Sequence, residues 1–238
     1  SDGTDGPFAT LQRAKDEIRR CKEDDSLQGA VEVKIRGGNY CLEAPLVFEP
    51  EDSWPVIYMP YEQEEVVLDG GVPIQGWNRQ QVDGIDMWTV DIPEVAAGNW
   101  YFRELFVNGT RRRRPRLPKK GAYRMESAEG VADEDDVWDN LFKGSYAFSY
   151  GGNDIRNFRN LRDIDIVVDH FWLDERMPID SIDENERMVR SKLRSVFILK
   201  DDTRGGYSNY FLENVREALR EPGEWYLDRA QGKLYYIP

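Results

Sequence analysis

The chain has 238 residues, with 32 Lys and Arg against 45 Asp and Glu, a formal net charge of −13 and a single histidine; its sequence pI is near 4.7 and its mean hydropathy −0.69. That balance excludes a general nucleic-acid binder, because the mean field repels a polyanion and no basic face of domain size offsets it. The hydropathy, and the lack of any apolar run of roughly 20 residues, exclude a membrane protein, while the length allows one large or two small domains with a sizeable core.

In chain order, residues 1–10 carry neither the basic start nor the apolar stretch of a secretory leader. Phe8, Leu11, Ala14, Ile18 and Cys21 follow helical spacing, with Thr4, Asp5, Gly6 and Pro7 as start chemistry and Lys15, Asp16, Glu17, Arg19 and Arg20 facing out. They predict one amphipathic helix over residues 7–23. Val31, Val33 and Ile35, then residues 45–48, 56–59 and 66–68, are short apolar runs punctuated by Gly37-Gly38 and Asp69-Gly70-Gly71, which reads as strands and corners. Several are continuous rather than alternating, as buried parallel strands are, and their spacing of roughly 10 to 14 residues leaves no room for intervening helices. Residues 1–75 are therefore predicted to be a cap helix and the first coils of a parallel β-helix.

The rest of the chain reads as antiparallel. Residues 88–91 are a short strand, and residues 105–107 run into Asn108-Gly109, the strongest two-residue hairpin signal, before residues 110–114 return. Residues 145–150, 164–171, 179–182, 188–193 and 196–199 supply further strands, and residues 225–227 and 234–237 a last hairpin about the turn 228–232. Residues 209–219, with Phe211 or Leu212, Val215 and Leu219 on one face, predict a second helix. The expected fold is thus mainly β. An antiparallel β-sandwich or barrel over residues 76–204 is inserted after the first coils, and residues 205–238 return towards the β-helix. The acidic residues 126–139 and Gly151-Gly152-Asn153-Asp154 are expected loops. So short a stack leaves its last face open, and a longer parent protein is expected.

For chemistry, Arg111, Arg112, Arg113 and Arg114 form the most basic stretch and have the charge to grip a uronate or sulfate. On a strand, alternate residues point to opposite faces, so at most two share a surface, and a solvated strand is the preferred reading. Asp163, Asp165 and Asp169 have the period of one strand face, where two carboxylates could serve glycoside hydrolysis, although polar-out alternation also explains them. His170 lacks the Gly-x-Ser-x-Gly context of a serine hydrolase, and Ser149 lies in none, so a hydrogen-bonded, partly buried histidine is expected. Trp100, Tyr101, Phe102, Trp138, Phe142, Tyr146, Phe148 and Tyr150 are more aromatics than a small sandwich needs, and sugar rings stack on such faces, but most strand aromatics are core. Asn108-Gly109-Thr110 matches a glycosylation sequon whose turn role suffices. One histidine with Cys21 and Cys41 makes no thiolate zinc site, and no metal or cofactor is expected. A Cys21–Cys41 disulfide is geometrically open, with two buried thiols the preferred reading.

A resemblance runs along the chain. Asp5-Gly-Pro-Phe-Ala-Thr-Leu-Gln-Arg-Ala-Lys-Asp-Glu-Ile-Arg19 resembles the cap helix of carbohydrate-active right-handed parallel β-helix proteins, and Ile35-Arg-Gly-Gly-Asn-Tyr40, with Leu42 and Pro45-Leu46, resembles their first coil. Val67-Leu-Asp-Gly-Gly71, Ile74-Gln-Gly-Trp77, Phe102-Arg-Glu-Leu-Phe-Val-Asn-Gly109, Arg114-Pro-Arg-Leu-Pro118 with Gly121 and Tyr123-Arg124, Tyr210-Phe-Leu-Glu-Asn-Val-Arg-Glu-Ala-Leu219, Glu221-Pro-Gly-Glu-Trp-Tyr-Leu-Asp228 and Leu234-Tyr-Tyr-Ile-Pro238 resemble, in this order, glycoside hydrolase family 141-like enzymes. The chain departs from that pattern at Asp52-Ser53-Trp54, where a glycine is expected after Asp-Ser, and at Asp69, where a serine is usual.

The resemblance implies a β-helix with a sandwich inserted near its N-terminus, in secreted or periplasmic bacterial enzymes that cleave plant or algal polysaccharides, commonly fucosides or xylans. It places the catalytic carboxylates beyond Pro238, so no catalytic residue is assigned, no binding residue is identified and no metal site is expected. The chain is then the non-catalytic N-terminal region of such an enzyme, capping the solenoid and shaping a substrate groove. Its partners are a polysaccharide or oligosaccharide and the rest of its own β-helix, not nucleic acid or membrane. Alternatives are a stand-alone carbohydrate-binding module, part of a β-helix polysaccharide lyase, or an adhesion protein using a solenoid as spacer.

Overall fold

The computed structural model describes residues 6–238; Thr4 and Asp5, part of the expected helix start, lie outside the described residues. The chain divides into two compact units, Ser1–Ile74 and Gln75–Pro238. In the first, helix α1 (Leu11–Glu23) begins at Thr10, whose hydroxyl accepts the Arg13 backbone N–H at 3.1 Å, so a side-chain cap sets the start later than residue 7. Leu11 and Ala14 turn inward, and so does Lys15, which the sequence placed outside. The Lys15 ammonium donates to the Val47 carbonyl at 2.8 Å and reaches Asp52 at 3.5 Å. Asp52 also takes the Arg19 guanidinium and the Glu49 backbone N–H, so the helix is anchored two residues before Trp54, the position where the family pattern has glycine.

Strands β1 (Val31–Ile35), β2 (Gly38–Cys41), β3 (Val56–Pro60) and β4 (Val66–Asp69) follow. β1 pairs with β3 in parallel, Val31 opposite Val56, and β2 with β4, Gly38 opposite Val66. Each ladder stops at two strands, and residues 45–48 form no strand, leaving Val47 and Phe48 exposed. The predicted right-handed parallel β-helix is thereby corrected: what forms is two small parallel ladders, not a solenoid. Apolar runs with glycine corners give direction and turning, but they carry no count of rungs. Cys21 and Cys41 are both free, and Cys41 is exposed rather than buried.

The second unit opens with β5 (Asn78–Val82), β6 (Ile85–Asp91) and the short helix α2 (Pro93–Ala96), then β7 (Phe106–Val107), β8 (Thr110–Arg111) and β9 (Arg116–Leu117). Asn108 and Gly109, both at positive φ (53° and 71°), make the predicted hairpin between β7 and β8. There follow β10 (Tyr123–Ala128), β11 (Ala147–Tyr150), β12 (Asp165–His170), β13 (Leu173–Asp183), β14 (Met188–Ser191), β15 (Asn209–Glu213), β16 (Trp225–Asp228) and β17 (Lys233–Tyr236). The order β10-β11-β14-β13-β12-β15 is antiparallel throughout, and β15 pairs with β10 as well as β12, which closes a six-stranded barrel. Closure removes the open edges that a two-sheet sandwich would keep, so of the two expected arrangements, sandwich or barrel, the barrel is the one that forms.

Register breaks at Met125/Ser127 in β10 and Ile179/Ser181 in β13 supply the local bending that closure needs. Phe148, Tyr150, Ile166, Val168, Met177, Ile179, Tyr210 and Leu212 fill the barrel. β9 continues the β10 edge along the far half of β15. The expected helix over residues 209–219 is instead β15, because Tyr210 and Leu212 alternate inward; Asn214 then turns left-handed (φ 60°) into a single turn, Arg216–Ala218. A separate four-stranded sheet, β16-β17-β6-β5, packs on Met87, Leu219, Tyr226 and Ile237. Among the described residues α1 is the one helix longer than seven residues, and no helix is long and apolar enough to cross a membrane.

Candidate functional site

Two surfaces of the second unit gather groups able to recognise a ligand. The first is a cleft of about 580 Å³ lined by eight cationic side chains, Arg103, Arg111, Arg112, Arg113, Arg114, Arg116, Lys119 and Arg176, with Glu104, Glu213, Glu221 and Glu224. All four consecutive arginines reach it. The alternation rule fails because β8 ends at Arg111, and the stretch before Pro115 keeps only an isolated bridge from Arg113 to Glu224. Pro115 and Pro118, which cannot donate to a ladder, were the available signal that this is no regular strand. The other four cations come from separate segments.

Arg114 is buried and anchors the cleft floor: its Nη1 donates to Asp165 Oδ2 at 3.0 Å and Glu213 Oε2 at 3.1 Å. Arg103 reaches the same Asp165 oxygen at 3.4 Å, and Arg176 shares Glu213 at 3.5 Å. Asp165 is therefore ion-paired to two arginines through one oxygen, and it is 1% exposed. Asp163 lies not on β12 but in the turn Leu161–Asp163 before it, where it accepts from Tyr226 Oη and Arg229 Nε, each at 2.8 Å. Asp169 stands directly across from Asp174, and burial, then that like charge, push its carboxyl above the usual range. The three aspartates thus go to three environments, and none forms a free acid and base pair over a cleft.

The second surface is aromatic. Trp138, Phe142, Phe171, Trp172 and Phe197 make a continuous set of ring contacts with centroids 5.3–5.8 Å apart. Trp138, Phe142 and Trp172 are 58%, 68% and 64% exposed, beside exposed Leu193 and Val196. His170 supports the shelf from below: it is buried, packs on Phe171 and Phe197, and contacts Glu175 Oε2 through Nε2 at 2.9 Å. Glu175 in turn accepts the Val196 backbone N–H at 2.7 Å. His170 is thus the expected satisfied histidine, apart from a buried Nδ1 without a partner among the described residues.

Of the aromatics singled out from sequence, Phe148 and Tyr150 are barrel core. Trp100 and Phe102 stack towards Trp225, and Tyr101 lies between Arg103 and Arg229. Trp138 and Phe142 belong to the shelf, whereas Trp172 and Phe197, which complete it, went unread because nothing local separates them from core aromatics. A smaller hollow of about 340 Å³ holds Asp154, whose carboxyl burial pushes up, near Tyr123 and Tyr150; the sequence placed Asp154 in a loop without a role. Among the described residues no group of three or more His, Cys, Asp or Glu is placed to hold a metal ion.

No curated protein matches the chain. A solved structure described as a glycoside hydrolase superposes with a TM-score of 0.70 at 27% identity, covering 98% of this chain and 40% of that one. This chain therefore spans less than half the length of that protein. The model described as the GH141 insertion domain matches residues 85–238, which take in the barrel, three strands of the four-stranded sheet (β6, β16 and β17), the basic cleft and the aromatic shelf. The family resemblance seen in the sequence stands on that match, and the chain belongs to the GH141 insertion-domain family.

Proposed function

We propose that the chain is a non-catalytic accessory region of a larger glycoside hydrolase, and that its aromatic shelf contacts a saccharide. The carrying observation is the exposure of Trp138, Phe142 and Trp172 on rings that hold one another in place. Aromatic faces with fixed geometry give large contact area to the C–H face of a sugar at low entropic cost. The occupied state of Asp163 and Asp165 supports the non-catalytic reading, since glycoside hydrolysis needs one carboxylic acid free to protonate the leaving oxygen and a second free as base or nucleophile. Those groups belong, on this reading, to the remainder of the parent enzyme, which works outside the cytoplasm where polysaccharides are met. The open strand faces of the first unit, with Ile57, Val67 and Leu68 exposed, offer the rest of that enzyme a surface to pack on.

Affinity electrophoresis of the 238-residue chain in gels containing neutral xylan or galactan tests the reading. Retardation by at least one neutral polymer, abolished in Trp172→Ala, is expected, together with no release of reducing sugar. Retardation by none of a broad neutral panel, or measurable turnover, contradicts it.

A further inference from the structure

We infer that the basic cleft binds the anionic group of an acidic saccharide, a uronate carboxylate or a sulfate ester. The inference rests on the saccharide-contacting reading above but concerns a different surface. Its ground is a contrast of charge. The chain carries −13 overall, yet in this cleft cations outnumber carboxylates two to one, and the carboxylates are already taken by Arg111, Arg114, Arg176, Lys119 and Arg113.

Neither Arg112 nor Arg116 is in a contact ion pair with a carboxylate among the described residues, Asp169 acting on Arg116 only from farther off, although both are held in place. Arg116 lies over the Phe211 ring at 3.7 Å and donates to the carbonyls of Pro118 and Gly121. Arg112 lies near the Tyr236 ring at 5.8 Å and donates to the Val107 carbonyl. Rings and carbonyls fix a guanidinium without neutralising it, so the positive charge is left for a ligand. The Nε atoms of Arg112 and Arg114 are buried without partners among the described residues, a cost that a structural ion-pair network would not retain.

Arg113 is the exposed complement, 72% exposed along its side chain and paired with Glu221 only at 4.0 Å. Carboxylate and sulfate oxygens accept two parallel N–H bonds from one guanidinium, which is why arginines rather than lysines suit such a site. Low-dielectric walls around like charges also focus the potential and draw an anion in.

The test uses the whole chain with polygalacturonate, its methyl-esterified form, a sulfated galactan and its desulfated form, in affinity gels at two salt concentrations. One charged polymer binds more tightly than its neutral counterpart, and the binding weakens with salt. Polygalacturonate alone identifies the carboxylate, and the sulfated galactan alone the sulfate. Arg113→Glu weakens that binding about ten-fold, and Arg112→Gln weakens it as well. Arg194→Glu, outside the cleft, makes the same change in net charge with little effect. The Arg113 backbone bonds to Gly223 and Trp225 do not involve its side chain, so that variant keeps its fold. No preference for either charged polymer, or an equal loss in Arg194→Glu, overturns the inference. Neutral xylan in parallel gels keeps the two claims separate, because its binding survives Arg113→Glu and is lost in Trp172→Ala.

Discussion

Buried Asp165 takes two of the basic cleft's arginines, Arg103 and Arg114, on one carboxylate, and its removal is a sharp single-residue test. Asp165→Asn leaves the buried Arg114 with Glu213 as its remaining carboxylate, and breaking a buried pair from one side costs about 3 kcal/mol or more. Urea denaturation checks this; a loss under about 1 kcal/mol would mean that solvent reaches the pair. The residue scale is also where sequence reasoning stops. Aspartates at period two were visible, but their partners lie 51 residues away for Asp165 and 66 for Asp163, and no local pattern reports such pairings. The same holds for aromatics: Trp138 and Phe148 look alike in sequence, and only the closure of the barrel puts one at the surface and the other inside.

Among the elements, those with local chemistry were readable. The Asn108-Gly109 hairpin was found because a two-residue turn needs positive φ at both positions, and β12, β14, β16 and β17 were found from apolar runs. β5, a polar strand with sequence Asn-Arg-Gln-Gln-Val, and β10, hidden in an acidic stretch and broken by a register shift, were not. Gly144 gives an element-level test: a Cβ there would stand 1.7 Å from the Ser195 carbonyl oxygen, where the chain before β11 crosses residues 195–197. Gly144→Ala should cost more than about 2 kcal/mol through forced backbone shifts, read as a lowered urea midpoint, and a neutral outcome would refute that packing.

In the first unit, the Arg19 guanidinium, helped by the Glu49 N–H and Lys15, holds the Asp52 carboxyl well below its ordinary value near 3.8. A depressed folded value gives stability that is complete above the ordinary value and is lost as pH falls through the folded one. Hydrogen exchange in α1 should therefore quicken below about pH 3.8, and Asp52→Asn should remove that added acid dependence. An unchanged profile in the variant would sink the anchoring role of Asp52.

At the scale of the molecule, the two units are built very differently. Among the described residues Leu11 and Ala14 are the buried hydrophobics of the first, whereas the second encloses a barrel core of large apolar side chains. Limited proteolysis should cut the first unit early and leave a resistant fragment beginning near residue 75, since cleavage follows local opening; equal resistance of both units contradicts this. The mainly β character and the antiparallel character of the later chain were readable from short punctuated runs. Sandwich and barrel could not be told apart, because closure depends on β15 meeting both β10 and β12, and strand order is not written in periodicity. The aromatic shelf, on this reading, is the saccharide-contacting surface. Two-dimensional NMR of the seven tryptophan indole N–H groups during titration with a neutral oligosaccharide probes that surface residue by residue. The Trp138 and Trp172 signals should move together and saturably while buried Trp225 stays still; shifts confined to other tryptophans, or none at saturating sugar, would rule the shelf out as the contact surface.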